Sequence, residues 1–510
     1  MKKKSLLLLT ASALLCLTSC GGAGDSDVDQ KLPSGDPKSQ VTINFWHCLG
    51  HEKTTNLLKV VDAFNTKYAG KYYVNPTHPA GDYGALHDVV KTKMSSGEVP
   101  AITMGYPDSF SEYITPQIEE SFLLRIDNFI KDSECGYTEE EIEDFIPGYY
   151  NEGTQYQFKG TWSMPMYKST EVMYYNYSYF MGVNPLNSSR HADDAEFMAL
   201  YRDAFGRTLE NDDGTLEEDL QAVKNWLVEH DGDTAYVYDV PETWDEAIAL
   251  ARKMKSDRTA AGVTGEFYPF GYDSDSNLLI SQMAQREIPY TVNDNTTKNN
   301  PANHIKFNNA QAKALVTEIV GYLRENIMIT KNSLGGSTYT NTYFNEGKCA
   351  FTVGSTGGSS YNISSNFAVK LAPVPYKNQR KYIQQGPSFC FFDNGNRWIH
   401  KGAWLFFKEF ADSENNAKVA LENSYDPIRY SCYETDAYRT WIEMEGQGLK
   451  YDIPAMTARL KEYYMTSPVF VGSSTCRDEI GNIISYVYAS EYSVADAFQE
   501  AYDNCLIAVK

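Results

Sequence analysis

Between Val41 and Met104 the hydrophobic period changes four times, and no other stretch restricts the fold as tightly. Val41-Thr42-Ile43-Asn44-Phe45-Trp46 alternates as a strand does, and Leu57, Leu58, Val61 and Phe64 then fall on one helical face. Tyr72 to Val74 reads as a second strand. Leu86, Val89, Val90 and Met94 recur at helical spacing up to a stop at Gly97, and Ala101 to Met104 reads as a third strand. Strand, helix, strand, helix, strand predicts an α/β architecture built on a parallel sheet. The chain has 510 residues, more than one hydrophobic core usually serves, so more than one folding unit is expected.

The N-terminus carries an export pattern. Lys2, Lys3 and Lys4 precede an apolar run from Ser5 to Leu17, too short for a stable membrane span. The run ends in Leu17-Thr18-Ser19-Cys20 followed by two glycines, which resembles a bacterial lipobox. That resemblance implies removal of residues 1–19, a diacylglycerol on Cys20, and a protein held at the outer face of the bacterial cell membrane. An ordinary signal peptide with an incidental cysteine is the alternative. Residues 20–40 are rich in Gly, Ser, Asp and Pro and read as a flexible tether. No later stretch is long and apolar enough to cross a bilayer.

Composition removes several functions. Lys and Arg number 45 against 67 Asp and Glu, and losing the three N-terminal lysines takes the net charge from −22 to −25. Nucleic-acid binding, which needs a basic surface, is therefore not expected. The seven cysteines after Cys20 are scattered without a C-x-x-C pair, and the histidines are dispersed, so neither a metal nor a cofactor is expected. Seven is odd, so at least one thiol stays unpaired, and most are expected to be buried as small apolar residues. No G-x-S-x-G elbow is present. Abundant carboxylates leave a glycosidase pair open without singling one out.

Further along, Thr243 and Glu246 form a capping box that opens a helix, with Trp244, Ala247, Ile248 and Ala251 on its inner face. Ala310 to Asn326 is an amphipathic helix with a Leu315, Ile319, Leu323 stripe. The stretch from Tyr451 reads as helical throughout, ending on Val494, Phe498, Ala501 and Cys505. Residues 183–240 are acidic and read as an insertion. Ser163 to Asn176 is extended, polar at first and apolar later. The loop Gly354-Ser355-Thr356-Gly357-Gly358 exposes N–H groups and hydroxyls suited to an anion or to sugar oxygens, and reads equally as a plain flexible loop. It is not a nucleotide P-loop.

Taken in order, several segments resemble the extracellular solute-binding proteins, family 1, of ABC importers, and glycerol-3-phosphate and sugar binders in particular. They are Phe45-Trp46-His47, Gly81-Asp82-Tyr83, Val99-Pro100-Ala101-Ile102, Phe145 to Tyr150, Ser163 to Asn176, Pro241 to Glu246, Ser355 to Gly358, Gly386-Pro387-Ser388 and Tyr425-Asp426-Pro427-Ile428. The resemblance implies a type II periplasmic-binding-protein fold, two α/β lobes joined by a multi-crossing hinge that closes on ligand. It implies one lobe of 41–166 with 375–425, another of 170–373 with 428–510, and crossings near Met166–Thr170, Pro373–Gly386 and Tyr425–Arg429.

By the same resemblance, ligand contacts fall on Trp46, Tyr83, Ser169, Ser355, Thr356, Gly357, Gly386 and Tyr425. Two positions depart from the family pattern. Asp108, after Pro107, stands beside the place of a family glutamate. Phe470 stands at the place of a phosphate-binding arginine, so Phe470 is expected to stack on a sugar or glycerol face, while Lys168 or Arg429 could replace the missing cation. The expected function is capture of a carbohydrate or polyol for delivery to ABC permease subunits, without catalysis. The alternatives are glycerol-3-phosphate or a glycerophosphodiester as ligand, a surface glycosidase, and an adhesion or structural lipoprotein.

Overall fold

The computed structural model describes residues 30–114, 121–232, 235–489 and 492–509. The signal segment 1–19 and Cys20 lie outside them. Two five-stranded sheets organise the molecule. The first has the order β2 (Tyr72–Thr77), β1 (Val41–Trp46), β3 (Ile102–Gly105), β11 (Ser388–Phe391), β4 (Met164–Pro165). The second has the order β7 (Met328–Thr330), β6 (Phe270–Tyr272), β8 (Phe351–Ser355), β5 (Glu171–Asn176), β9 (Val369–Pro373). In each sheet the first three strands of that order are mutually parallel, the fourth (β11 or β5) runs against them, and the last (β4 or β9) runs with them again. A short parallel pair, β10 (Tyr382–Ile383) with β12 (Tyr464–Met465), lies apart from both.

Each sheet has its own core. In β1, Ile43 and Phe45 point inward and Thr42 and Asn44 outward, as the alternation requires. Helix Arg397–Phe410 lays Ala403, Trp404, Phe406, Phe407 and Phe410 into this core, and helix Thr55–Lys67 adds Leu57, Val60, Val61 and Phe64. Leu58, expected on that inner face, is exposed, because the stripe that starts at Leu57 continues at the third, fourth and seventh residues beyond it. The second core gathers around Trp244, Phe270, Phe351 and the Leu315–Ile319–Leu323 stripe. Burying side chains of this size stabilises the fold by roughly 1.5–3 kcal/mol each. The capping box is present: Thr243 Oγ1 accepts from Glu246 N at 3.3 Å, and the Glu246 carboxylate accepts from Thr243 N at 3.0 Å.

Three regions depart from the sequence reading. The acidic insertion forms helices Pro185–Arg190, Ala195–Ala204 and Leu216–Asp231 around a small core of its own that includes Phe197, Leu220 and Trp226. The C-terminal stretch is not helical throughout, since β12 and an extended run to Gly472 interrupt it. The described end of the tether is held to the first lobe. Leu32 is buried, and Lys401 Nζ donates to the carbonyls of Pro33 and Gly35, both at 2.8 Å.

Candidate functional site

The lobes meet along three extended segments. Ser169 and Gln385 exchange backbone hydrogen bonds of 3.0 and 2.8 Å, Lys168 and Asp426 exchange bonds of 3.0 and 2.6 Å, and Met166 N donates to the Pro387 carbonyl at 3.1 Å. Gly386 is required here. Its φ is +96°, and a Cβ would stand 2.7 Å from the Tyr167 carbonyl oxygen. Two charges are buried beneath this junction, both with partners. Lys168 Nζ donates to the Glu152 carboxylate and, at 3.0 Å, to Ser388 Oγ. Asp426 accepts from the hydroxyls of Tyr149 at 2.7 Å, Tyr433 at 2.6 Å and Thr457 at 3.2 Å, and burial raises its pKa despite them.

Against this floor lies a cavity of about 310 Å³ with walls from both lobes. The first lobe contributes Tyr106, Pro107 and Asp108, just beyond β3. The second contributes Glu171 at the start of β5, Asp273 and Ser274 after β6, and Asn277 one turn on. Ser473 and Arg477, from the first turns of helix Ser473–Tyr488, close a third side. Strand ends and helix starts thus converge on one crevice, where α/β sheets commonly bind ligands.

One polar group organises the second-lobe wall. Glu171 accepts from Tyr272 Oη at 2.6 Å and Asn277 Nδ2 at 2.7 Å, and Asn277 Oδ1 in turn accepts from Arg477 Nη2. Burial pushes the Glu171 carboxyl up to about 7, against the pull of those donors and of Arg477. Burial also raises Asp273. Tyr106 belongs to an aromatic cluster behind the first-lobe wall. The Tyr83 ring lies 4.6 Å from that of Tyr106, and the Tyr167 and Tyr425 rings are 4.4 Å apart.

Of the residues expected at the site, Asp108, Ser355 and Gly386 line the cavity. Tyr83 packs behind Tyr106. Thr356 N donates to the Thr170 carbonyl at 2.9 Å beside the buried Ser169, and the Tyr425 hydroxyl sits 2.5 Å from where a Cβ on Gly357 would lie. None of these five residues lines the cavity, nor do the other three. Trp46 packs on the rim of the first core. Phe470 is wholly buried, with its ring stacked 4.1 Å from that of His304, so it has no face left for a sugar. Arg429 Nε donates to Asp144 Oδ2 at 2.7 Å and its guanidinium lies over Phe145, while Lys168 is committed to Glu152. The cation in the cavity wall is Arg477, seven residues past the position where one was sought. Glu171 and Asn277 also escaped the sequence reading. The one available signal was the polar run Asp273-Ser274-Asp275 directly after an apolar strand.

Among the described residues no group of three or more His, Cys, Asp or Glu side chains is placed to hold a metal, and no helix is long and apolar enough to cross a membrane. The arrangement offers carboxylates, amides, hydroxyls and tyrosine rings around one guanidinium, a set suited to reversible hydrogen bonding.

The family of bacterial extracellular solute-binding proteins matches residues 59–446, well over half of the chain. No curated protein matches the sequence. Three solved structures share the fold. UgpB from Mycobacterium tuberculosis, in complex with glycerophosphocholine, has a TM-score of 0.62 at 12% identity, over 92% of this chain and 98% of that one. The GacH receptor of Streptomyces glaucescens, solved unliganded and with acarbose, has a TM-score of 0.62 at 12% identity, over 92% and 100%. Maltose-bound MalE3 of T. maritima has a TM-score of 0.60 at 13% identity, over 91% and 99%.

Proposed function

Because the chain belongs to the bacterial extracellular solute-binding protein family, we propose that it captures a carbohydrate or polyol in the cavity between its lobes and delivers it to the permease subunits of an ABC importer. It does so while anchored to the outer face of the membrane by lipid on Cys20. The observation that carries the reading is the 310 Å³ cavity, bounded by both lobes and by the crossings that join them. Its many hydroxyl, amide and carboxyl groups match a ligand rich in hydroxyls. The division into 41–166 with 375–425 and 170–373 with 428–510 belongs to the proposal, as does closure about segments 166–170, 383–387 and 425–429. The site holds and releases its ligand unchanged.

A second reading, glycerol-3-phosphate or a glycerophosphodiester, is favoured by Arg477, a guanidinium able to hold phosphate bidentately. A thermal-shift panel of neutral sugars, polyols and glycerophosphates separates the two. A ligand present at a hundred times its Kd stabilises the native state by about 2.7 kcal/mol, and no shift with any member would sink both readings. Arg477→Met should leave a neutral sugar's shift largely intact and abolish that of a phosphodiester. Tyr83→Ala and Tyr425→Ala should abolish the shift with either; unchanged shifts would remove those tyrosines from the site. For the anchor, Cys20→Ser should release the protein from the membrane fraction and end incorporation of labelled fatty acid.

A further inference from the structure

Helix Ser473–Tyr488 gives Ser473 and Arg477 to the cavity and packs antiparallel against the C-terminal helix Val494–Ala508. Contacts on either side of one point fix the register of this pair. At the N-cap of the first helix, a Cβ on Gly472 would stand 2.7 Å from the carbonyl carbon and oxygen of Ala508. Farther along, Asn504 Nδ2 donates to Glu479 Oε2 at 3.0 Å. Between these contacts Cys476 and Cys505 are brought face to face, both wholly buried. The same register sets Ile480 and Ile484 opposite Ala501 and Ala497, and small alanines let the backbones approach closely.

We propose that Cys476 and Cys505 form a disulfide in the exported protein, clamping the C-terminal helix to the helix that bears Arg477. In this structure both are thiols, and the neighbouring Cys476 raises the pKa of Cys505. Cys135, Cys349 and Cys432 instead set their sulfurs against oxygens of Asp132, Phe351 and Asn416. One pair and five thiols account for the odd count of seven. Disulfides persist in the oxidising space outside the cytoplasm. The proposal rests on the export that the family implies and not on which ligand is bound.

The chemistry is thiol–disulfide exchange. With glutathione disulfide as oxidant, each cysteine gives up its proton, two electrons pass to the glutathione disulfide, one protein S–S bond replaces two S–H bonds, and two glutathione thiols leave. The neighbouring Cys476 and burial raise the Cys505 pKa, so attack by a thiolate belongs to the folding chain, before the helices close over the sulfurs.

The test is to refold the full chain in a glutathione redox buffer, trap thiols with an alkylating agent in denaturant, and map tryptic peptides without reduction. Cleavage after Lys461 and Arg477 places Cys476 alone in peptide 462–477 and Cys505 alone in peptide 478–510. The expected result is these two peptides joined, and separated by reductant. Finding both alkylated, or either joined to a different cysteine, overturns the proposal. Reduction should lower the Tm of the wild type and leave that of Cys476→Ser and Cys505→Ser unmoved. An unmoved wild-type Tm overturns the clamp.

Discussion

Glu171 opens β5 with its carboxyl facing Tyr272, Asn277 and Arg477, and with Asp273 nearby. Burial raises its pKa to about 7, whereas the unfolded chain releases that proton near the ordinary glutamate value of 4.5. Between those values the folded state holds more protons, so stability falls as pH rises through the window and levels off above it. Glu171→Gln should flatten this dependence. The difference between wild type and variant should change by about 3 kcal/mol at most from pH 4.5 to pH 8, measured by urea unfolding. A difference that stays constant across the window would show that the carboxyl titrates normally. Lys168 is the opposite case, a buried charge held by an ion pair. Lys168→Met leaves Glu152 buried and uncompensated, and should cost about 3–5 kcal/mol, with Lys168→Met/Glu152→Gln costing less than the two single changes together. Neither environment is written in local sequence. Glu171 and Lys168 lie in the Ser163–Asn176 segment quoted for its family likeness, yet which of them faces the cavity depends on strands more than 180 residues away that pair with them.

At the scale of elements, local chemistry was legible wherever a periodic pattern met a cap. Thr243 and Glu246 satisfy each other's backbone donors as their spacing demands. Thr243→Ala should therefore cost about 1 kcal/mol, with the denaturant m-value unchanged. Gly386 illustrates the reverse. Its place in Gly386-Pro387-Ser388 marked it, but its need for glycine comes from the Tyr167 carbonyl packed against it in a different segment. Gly386→Ala should destabilise by about 2 kcal/mol or more, joining the strain of a positive φ to the steric conflict. The run from Tyr464 to Gly472 falls within the stretch from Tyr451 expected to be helical. It is extended because β10 offers Tyr464 and Met465 a partner. Pairing with a distant strand is invisible to periodicity.

At the scale of the whole molecule, side chains also join the two lobes away from the crossings. Lys53 Nζ donates to the Gly357 carbonyl at 3.1 Å, and Ser359 Oγ meets Ser424 Oγ at 3.0 Å. Under the proposed closure, such contacts would stabilise only the closed arrangement and so shift the population toward it. Lys53→Met should weaken ligand binding several-fold, since one hydrogen bond to a charged group contributes about 1.5–3 kcal/mol and water replaces part of it. Ligand should also contract the wild type in small-angle X-ray scattering. An affinity unchanged by the substitution would show that the bridge does not bias closure. The sequence by itself determined the α/β layering, the capped helices, the export pattern and the family, because periodicity, caps and ordered motifs act over a few residues or recur at fixed places along the chain. Only the tertiary structure decided which polar residues surround the cavity between the lobes. Phe470 went to the core and Arg477 to the cavity because the face a helix or strand presents is set by what packs against its other side, and here those partners come from remote parts of the chain.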